Sequence, residues 1–320
     1  MKSLFITGGS GTVGRAIIER NIKNYKIFSF SRNEKSQIAL KRTYPEIEIL
    51  FGSVEEKIEL LNAINIAKPK IIIHAAALKH VDTAEKQPSL AIKSNILGSL
   101  NVIQASIEND VDLTVGISSH TACAPDNVYG HTKFLMEQLF REHDHKKNRF
   151  ICCRFGNVAW SNGSILPFWF GLKSENKSLP VTSKEMTRLI FTSQEAAMLI
   201  EKAIDLSQRQ KEFYTLSKKM KKVNMLRIAK MISDNFEIIG LRPGEIESED
   251  LISQEEVPFT KEIEDDYLII TPQNEVTGMG KLTKPLSSSN AREMSTSEMK
   301  NLLESVDARN RTTTLDERRY

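Results

Sequence analysis

The chain has 320 residues, of which 40% are hydrophobic and 27% charged, a composition typical of a globular protein with one large domain or two modest ones. Its 44 basic and 41 acidic residues give a formal net charge of +3, which argues against a dedicated nucleic-acid binder. Three cysteines without framework spacing argue against structural disulfides and favour a reducing compartment. No apolar run approaches the roughly 18 residues that span a bilayer. We therefore expect a cytoplasmic protein with no membrane or nucleic-acid partner.

The chain begins with a predicted strand, a glycine-rich turn and a helix. Residues 3–6 are apolar, TGGSGTVG follows, and RAIIERNIKN has a helical pattern. In this context Gly8 permits a tight turn, Gly11 lets the backbone approach a pyrophosphate, and Gly14 lets the helix pack closely on the strand. Because the N–H groups at a helix N-terminus bind phosphate, we predict dinucleotide binding here rather than an ordinary turn.

The second predicted strand, residues 26–30, is followed by Ser31 and Arg32. An acidic residue at this point binds the ribose hydroxyls of NAD, whereas serine and arginine suit the 2′-phosphate of NADP. A solvated arginine at a strand end is the simpler alternative. We predict NADP as the cofactor, with NAD as the alternative.

Strands and helices then alternate as in a doubly wound sheet. Further strands are predicted at 47–51, 70–74, 113–117 and 150–155, with a long helix at about 88–109 that contains Asn95. This rhythm predicts an α/β fold with a Rossmann-type, parallel, doubly wound sheet. Ligands bind at the carboxyl ends of such strands. The rim should therefore bring together the glycine turn, the small residues Ala75, Ala76 and Ala77, and the polar Ser118, Ser119 and His120.

Tyr129 and Lys133 follow the fifth strand, four residues apart. On a helix this spacing puts both side chains on one face. An ammonium near a phenol favours the phenolate, so the pair can act as a proton acceptor. We predict that Tyr129 and Lys133 are catalytic.

The alternation becomes irregular after the sixth strand. Helices are predicted from residue 166, at 193–206 and at 223–236, followed by the turn LRPGE at 241–245. We predict a Rossmann domain at 1–156, a smaller α/β C-terminal substrate-binding region at 157–306 and a loose tail at 307–320. The pair His143 and His145 has no third ligand nearby in sequence, so no metal site is predicted.

Several motifs together resemble one known family. They are TGGSGTVG, HAAALKHVDTAEKQPSLAIKSNILGSLNVI, VYGHTK, RFGNV, GSILPF, MTRLIFT and LRPGE. The chain resembles the extended short-chain dehydrogenase/reductase superfamily from residue 2 to about 304. Within it, the chain is most similar to the inverting UDP-N-acetylglucosamine 4,6-dehydratases of capsule and pseudaminic acid pathways. AAALKHV, MTR and GLRPGE are the motifs most specific to that branch.

The resemblance implies roles for individual residues. The cofactor would contact Gly8, Ser10, Gly11, Thr12, Val13, Gly14, Ser31, Arg32, Ser53, Val54, Ala75, Ala76, Ala77, Asn95, Tyr129 and Lys133. The UDP-sugar would contact Lys79, His80, Asn157, Arg188, Arg242 and Glu245. A homo-oligomer is also expected from the resemblance.

The resemblance also implies a reaction in which the cofactor is recycled. Tyr129 would take the proton of the sugar 4-hydroxyl while hydride leaves carbon 4. Water would then be lost across carbons 5 and 6, and the hydride would return to carbon 6. The cofactor ends as it began and can stay bound.

One stretch departs from the dehydratase pattern. After the serine at 118 the branch usually carries Thr-Asp-Lys, and the Asp and Lys are credited with the elimination of water. At the same three positions this chain has Ser119, His120 and Thr121. Ser119 can bond the 4-hydroxyl, and an imidazolium at His120 could protonate the departing hydroxyl, so both are predicted to be catalytic. A loop histidine without a catalytic role is the alternative.

Cys123 or Lys79 could instead compensate for the missing pair, and Ser53 stands where an aspartate is usual. If dehydration is lost, the enzyme would be a 4-epimerase or a 4-keto reductase, and if catalysis is lost, a binding protein.

Overall fold

The computed structural model describes residues 1–241, 245–270 and 280–305. The strands are β1 (Lys2–Thr7), β2 (Tyr25–Ser31), β3 (Glu48–Phe51), β4 (Ile71–His74), β5 (Leu113–Ile117), β6 (Arg149–Arg154), β7 (Asn157–Val158), β8 (Leu179–Val181), β9 (Thr187–Phe191), β10 (Tyr214–Lys218), β11 (Lys221–Asn224), β12 (Phe236–Ile238), β13 (Asp250–Ile252), β14 (Thr260–Ile263), β15 (Asp266–Ile270) and β16 (Leu286–Ser287). The predicted tail at 307–320 lies outside the described residues.

The helices fill the intervals between the strands. They are α1 (Thr12–Asn21), α2 (Glu34–Thr43), α3 (Lys57–Ala67), α4 (Val81–Lys86), α5 (Pro88–Ala91), α6 (Gly98–Glu108), α7 (Val128–His143), α8 (Ile165–Ser174), α9 (Ser193–Leu206), α10 (Met225–Ile232) and α11 (Thr296–Glu304). A π-helical segment, Ile92–Leu97, joins α5 to α6, and 3-10 helices cover His120–Ala122 and Val257–Phe259.

A nine-stranded sheet has the order β14-β15-β10-β6-β5-β4-β1-β2-β3. The strands from β10 to β3 pair in parallel, while β14 and β15 add an antiparallel edge. Strand order reverses at β1, which lies between β2 and β4, and ligands bind at such a switch point in doubly wound sheets. The prediction of a Rossmann-type parallel sheet is therefore confirmed.

The sheet is buried on both faces because its central strands are apolar throughout. In β4, Ile71 and Ile73 pack into one core cluster while Ile72 packs into another. In β1, Leu4 joins the first cluster and Phe5 the second. Consecutive strand residues point to opposite faces, so helices cover both sides and only the strand ends are left for a ligand.

A second, smaller core lies in the C-terminal part of the chain. The three-stranded sheet β11-β9-β7 packs with α8, α10 and α11 through Trp169, Met225 and Met299. The predicted helix at 223–236 is shorter than expected, because Asn224 caps α10 and Ser233 ends it. Strands β10, β14 and β15 follow residue 156 but belong to the large sheet, and the division at 156 stays a prediction.

The part of the chain that the structure describes contains no helix that is both long and apolar enough to cross a membrane.

Candidate active site

A cavity of about 940 Å³ runs along the carboxyl ends of the parallel strands. The predicted site residues that line it are Gly8, Ser10, Gly11, Thr12, Val13, Gly14, Ser31, Arg32, Ser53, Val54, Ala75, Ala76, Ala77, Lys79, His80, Ser119, His120, Tyr129, Lys133, Asn157, Arg188 and Glu245. Arg242 lies outside the described residues. The topology thus brings residues from distant parts of the sequence to one rim, as the strand rhythm predicts.

The glycine turn approaches the neighbouring loop too closely for side chains. Gly8 has φ +70°, and a Cβ there would lie 2.9 Å from the backbone nitrogen of Ala76. A Cβ on Gly14 would lie 2.6 Å from the Cα of Gly9, so only glycine lets α1 pack on the turn. The N-terminus of α1 therefore faces the cavity with its backbone N–H groups available to an anion.

The end of β2 carries the polar groups predicted to bind the 2′-phosphate. The Ser10 hydroxyl donates to the Ser31 hydroxyl at 3.2 Å. The Arg32 guanidinium is 63% exposed and lies 3.3 Å from the Glu55 carboxylate. Arg32 can thus turn toward a ligand, but Glu55 competes for it.

Helix α7 is positioned by its cap and by a close contact. The Asn127 side chain accepts the N–H of Gly130 at 2.8 Å, which starts the helix just before Tyr129. A Cβ on Gly130 would lie 2.6 Å from the Thr121 carbonyl oxygen. The first turn of α7 therefore packs directly against the segment that carries Ser119 and His120.

The Tyr129 side chain lines the cavity. Burial raises the pKa of Tyr129 to about 12, although a hydrogen bond from Ser119 acts in the opposite direction. The pairing with Lys133 was expected to favour the phenolate, but the Lys133 ammonium is bonded to the Ile117 carbonyl, and burial dominates the pKa of Tyr129. Tyr129 is therefore protonated at neutral pH.

Lys133 is fully buried one helical turn further on. Its ammonium donates to the Ile117 carbonyl and lies 3.3 Å from the Met136 sulfur. Burial lowers the pKa of Lys133 to about 8, with Cys152 and Glu137 opposing that change. Lys133 thus links α7 to the end of β5.

Asn95 departs from its predicted role as a cofactor ligand. It is 1% exposed, and its oxygen accepts the Leu78 N–H at 2.7 Å. Both amide protons are used as well, by the Leu78 carbonyl and the Thr132 hydroxyl. Asn95 therefore has no donor left for a ligand and instead holds the loop after β4 against α7.

His120 contacts a buried carboxylate that the sequence analysis gave no role. Its Nε2 lies 3.2 Å from Glu249 Oε1, and its Nδ1 lies 3.4 Å from the Ser119 hydroxyl. Glu249 directly precedes β13 and is 5% exposed. His120 thus lies between the hydroxyl that bonds Tyr129 and a buried anion.

Glu249 also holds two of the predicted substrate-binding residues. The Asn157 amide donates to both carboxylate oxygens at 3.0 and 2.9 Å, and Arg188 Nε lies 3.1 Å from Oε1. Burial alone would raise the pKa of Glu249, but His120, Arg188 and Asn157 lower it to about 2. Glu249 is therefore ionised and ties together three segments of the site.

Lys79 and His80 close the cavity from the side of the 161–164 loop. The Lys79 ammonium donates to the Asn162 carbonyl at 2.6 Å, and burial lowers its pKa. A Cβ on Gly163 would lie 2.5 Å from the His80 ring. The Asn162 N–H donates to the Thr12 hydroxyl at 3.3 Å, so this loop connects the glycine turn to the predicted substrate side.

Cys123 ends the 3-10 helix His120–Ala122 and is not among the residues that line the cavity. Its thiol contacts Glu256 at 3.4 Å, and burial raises its pKa. Glu256 in turn pairs with Arg154, whose second partner is Glu137. Cys123 thus belongs to a buried ionic network rather than to the cavity.

Comparisons with known proteins agree with this arrangement. The family described as "Polysaccharide biosynthesis protein" matches residues 4–271. An inverting UDP-N-acetylglucosamine 4,6-dehydratase from Campylobacter jejuni is 34% identical over 280 residues, 84% of this chain and 82% of the relative. A UDP-glucose 4-epimerase from Rickettsia bellii is 33% identical over 290 residues, 84% of this chain and 82% of that protein.

Solved structures show the same fold. The X-ray structure of Pen from Bacillus thuringiensis has a TM-score of 0.85 and 30% identity, covering 95% of this chain and 97% of that one. A UDP-glucose 4-epimerase from Stenotrophomonas maltophila, with bound NAD and formylated UDP-arabinopyranose, has a TM-score of 0.70 and 18% identity over 77% of this chain and 88% of that one. At 18% identity, the similarity to the epimerase structure shows the fold alone. The chain therefore belongs to the polysaccharide biosynthesis protein family, within the short-chain dehydrogenase/reductase superfamily.

Proposed function

We propose that the protein is an NADP-dependent nucleotide-sugar 4,6-dehydratase. It would convert UDP-N-acetylglucosamine into a UDP-4-keto-6-deoxy-hexosamine. The observation that carries the proposal is the cluster of Tyr129, Ser119 and His120 in the same cavity that the glycine turn lines. The similarity to an inverting dehydratase over 280 residues supports this reaction among those a tyrosine base can serve.

The residues of the cavity fit a nicotinamide dinucleotide. The glycine turn and the N-terminus of α1 line the cavity, so their backbone N–H groups would bind the pyrophosphate. Ser118 and Ser164 line the cavity with buried hydroxyls for which the described residues supply no hydrogen-bond partner. Such hydroxyls are usually satisfied by a ligand or water. Ser31 and Arg32 would hold the 2′-phosphate of NADP, and NAD is the alternative.

The reaction depends on proton transfers by this chain's residues. Tyr129 would take the proton of the sugar 4-hydroxyl, and the Ser119 side chain would hydrogen-bond the same hydroxyl. A bound oxidised nicotinamide would supply the hydride acceptor for carbon 4 and the hydride donor for carbon 6, and its positive charge would favour the Tyr129 phenolate. His120 would protonate the hydroxyl that leaves carbon 6.

The UDP-sugar would occupy the other end of the cavity. Arg188, Asn157 and Glu245 line that end, together with Lys79 and His80. An arginine suits a diphosphate through its charge and its fork of N–H donors. Glu249 holds the Nε of Arg188, and the Thr187 and Glu247 carbonyls accept from its Nη1, so its Nη2 would bind the substrate.

The decisive experiment is incubation of the purified protein with UDP-N-acetylglucosamine and NADP. The expected product is a 4-keto sugar nucleotide lighter than the substrate by one water, measured by mass spectrometry. An unchanged mass, with cofactor and substrate both shown to bind, would refute the proposal.

A second candidate is a 4-epimerase or 4-keto reductase. It is favoured by the 33% identity to a UDP-glucose 4-epimerase and by Thr121, which cannot act as a lysine base. An epimerase would change the stereochemistry without a change in mass. A reductase would consume NADPH stoichiometrically with a keto sugar.

We further propose that the enzyme works in the cytoplasm as a homo-oligomer. Both proposals derive from the resemblance to the dehydratases and from the composition of the chain. Light scattering after size-exclusion chromatography would test the homo-oligomer, and a mass of one 36.2 kDa chain would refute it. Fractionation of the source cells would test the location in the cytoplasm.

A further inference from the structure

The contacts of Glu249 determine which nitrogen of His120 carries a proton. With a pKa of about 2 the Glu249 carboxyl is ionised, so it accepts hydrogen bonds and cannot donate one. Its oxygen lies 3.2 Å from His120 Nε2, so Nε2 must be the protonated nitrogen. The neutral imidazole then has its lone pair on Nδ1, 3.4 Å from the Ser119 hydroxyl.

Glu249 is itself held so firmly that it can fix the ring. Its carboxylate accepts from the Asn157 amide and from the Leu189 N–H at 3.0 Å, and it pairs with Arg188. Its own N–H donates to the Ser288 hydroxyl at 2.9 Å. A buried carboxylate with this many partners is rigid, so it can hold the His120 ring in one orientation.

The other residues that could replace the missing lysine are engaged elsewhere. Thr121 has no basic group, and Cys123 contacts Glu256 and is not among the residues that line the cavity. The Lys79 ammonium is bonded to the Asn162 carbonyl. His120 is therefore the residue of the departing stretch that lines the cavity, carries a basic nitrogen and contacts a fixed carboxylate.

We propose that Glu249 is a positioning residue that fixes the Nε2–H form of His120, so that this one imidazole serves as base and then as acid in the elimination. Nδ1 takes the proton from carbon 5 as the C5–H electron pair moves toward the 4-ketone. The imidazolium then returns that proton to the 6-hydroxyl as the C6–O bond breaks and the C5–C6 double bond forms. One water leaves, and His120 is neutral again. The two chemical steps rest on the proposed dehydratase function, whereas the form of the ring does not.

The ring form is tested first, without any reaction. Histidine labelled with 15N is incorporated into the protein, and the His120 signals are identified by their loss in His120→Gln. Long-range 15N–1H correlations at a pH where the ring is neutral should show a proton on Nε2. A proton on Nδ1 would overturn the inference, whether or not the protein is a dehydratase.

The catalytic part is tested by separating the two half-reactions in Glu249→Gln. The rate of transient oxidation at carbon 4, monitored through the absorbance of the cofactor, should change less than about threefold. The rate of water loss should fall by about 100-fold, which is the effect expected of one positioned acid–base group. Glu247→Gln is the matched control, because Glu247 is exposed two residues away and its side chain contacts Ser183 instead of the site.

Three other results would overturn either the positioning role of Glu249 or the proposed function. Elimination at the wild-type rate in Glu249→Gln, or equal slowing of both half-reactions, would overturn the positioning role. A wild-type protein that binds UDP-N-acetylglucosamine without converting it would refute the proposed function instead. In that case the 15N measurement still decides whether Glu249 fixes His120.

Discussion

Arg32 offers a direct test of the cofactor. Replacement of Arg32 by alanine removes the cation predicted to hold the 2′-phosphate of NADP. The side chain is 63% exposed and its contact with Glu55 is 3.3 Å long. Pairs this exposed contribute about 0–1 kcal/mol to stability, so Arg32→Ala should leave the free energy of unfolding almost unchanged. Any loss of NADP binding would then report on the ligand and not on folding.

The expected loss follows from the type of contact. A hydrogen bond between charged partners contributes about 1.5–3 kcal/mol, and each 1.4 kcal/mol is a factor of ten in Kd. Arg32→Ala should therefore weaken NADP binding by about 10- to 150-fold and leave NAD binding unchanged, because NAD lacks the 2′-phosphate. Glu55→Gln should have the opposite effect on NADP, since it frees Arg32 and removes a carboxylate next to the phosphate.

Isothermal titration of the cofactor-free proteins with NADP and with NAD measures both effects. Arg42→Ala is the matched control, because Arg42 is exposed near the end of α2 and does not line the cavity. An equal loss of affinity for both cofactors, or no loss for either, would refute the assignment of the phosphate site. Tighter binding of NAD than NADP by the wild type would establish the alternative cofactor.

Three further predictions concern other parts of the site. Tyr129→Phe should slow oxidation at carbon 4 by at least about 100-fold, measured by stopped-flow absorbance, with little change in NADP affinity, measured by titration. Oxidation at the wild-type rate would remove Tyr129 from the mechanism. Asn95→Leu removes the side chain that bonds the Leu78 backbone, so it should lower the free energy of unfolding by about 3 kcal/mol, measured by urea unfolding. A loss below about 0.5 kcal/mol would contradict the structural role of Asn95. Because the pKa of Glu249 is depressed from 4.5 to about 2, its stabilisation is complete above pH 4.5 and lost as pH falls toward 2. The stability of the wild type relative to Glu249→Gln should thus decline by roughly 3 kcal/mol across that window, whereas a constant difference would refute the shift.

Most of the site was predictable because it depends on local patterns and on one topological rule. The glycine turn, Ser31 and the alanines after β4 each follow a strand with a clear apolar pattern. Parallel strands bring their carboxyl ends to one edge, so the sequence order alone predicts that these groups share a rim. The pairing of Tyr129 with the Ser119 segment follows from the same rule.

Other features were not predictable because they depend on long-range partners. Strand β10, Tyr214–Lys218, is short and carries no turn signal that separates it from a loop, yet it extends the parallel sheet beyond β6. Asn95 lies in a helix that borders the cofactor site, but its amide is used up by Leu78 and Thr132, which only the packing of α7 reveals. In both cases local propensity was overridden by tertiary contacts.

Glu249 was missed for the same reason, and it changes how the departing stretch is understood. In sequence it is one acidic residue in IESED, with an exposed glutamate two residues before it and an aspartate after it. Only the fold buries it against His120, which is 129 positions away. The dehydratase pattern has an acid and a lysine side by side, and here a histidine and a threonine replace them. A buried carboxylate behind the histidine restores an acid–base pair at the same point of the cavity, but the pair is now assembled from two distant segments. If elimination survives in this chain, its acid–base chemistry should therefore be as sensitive to Glu249 as to His120.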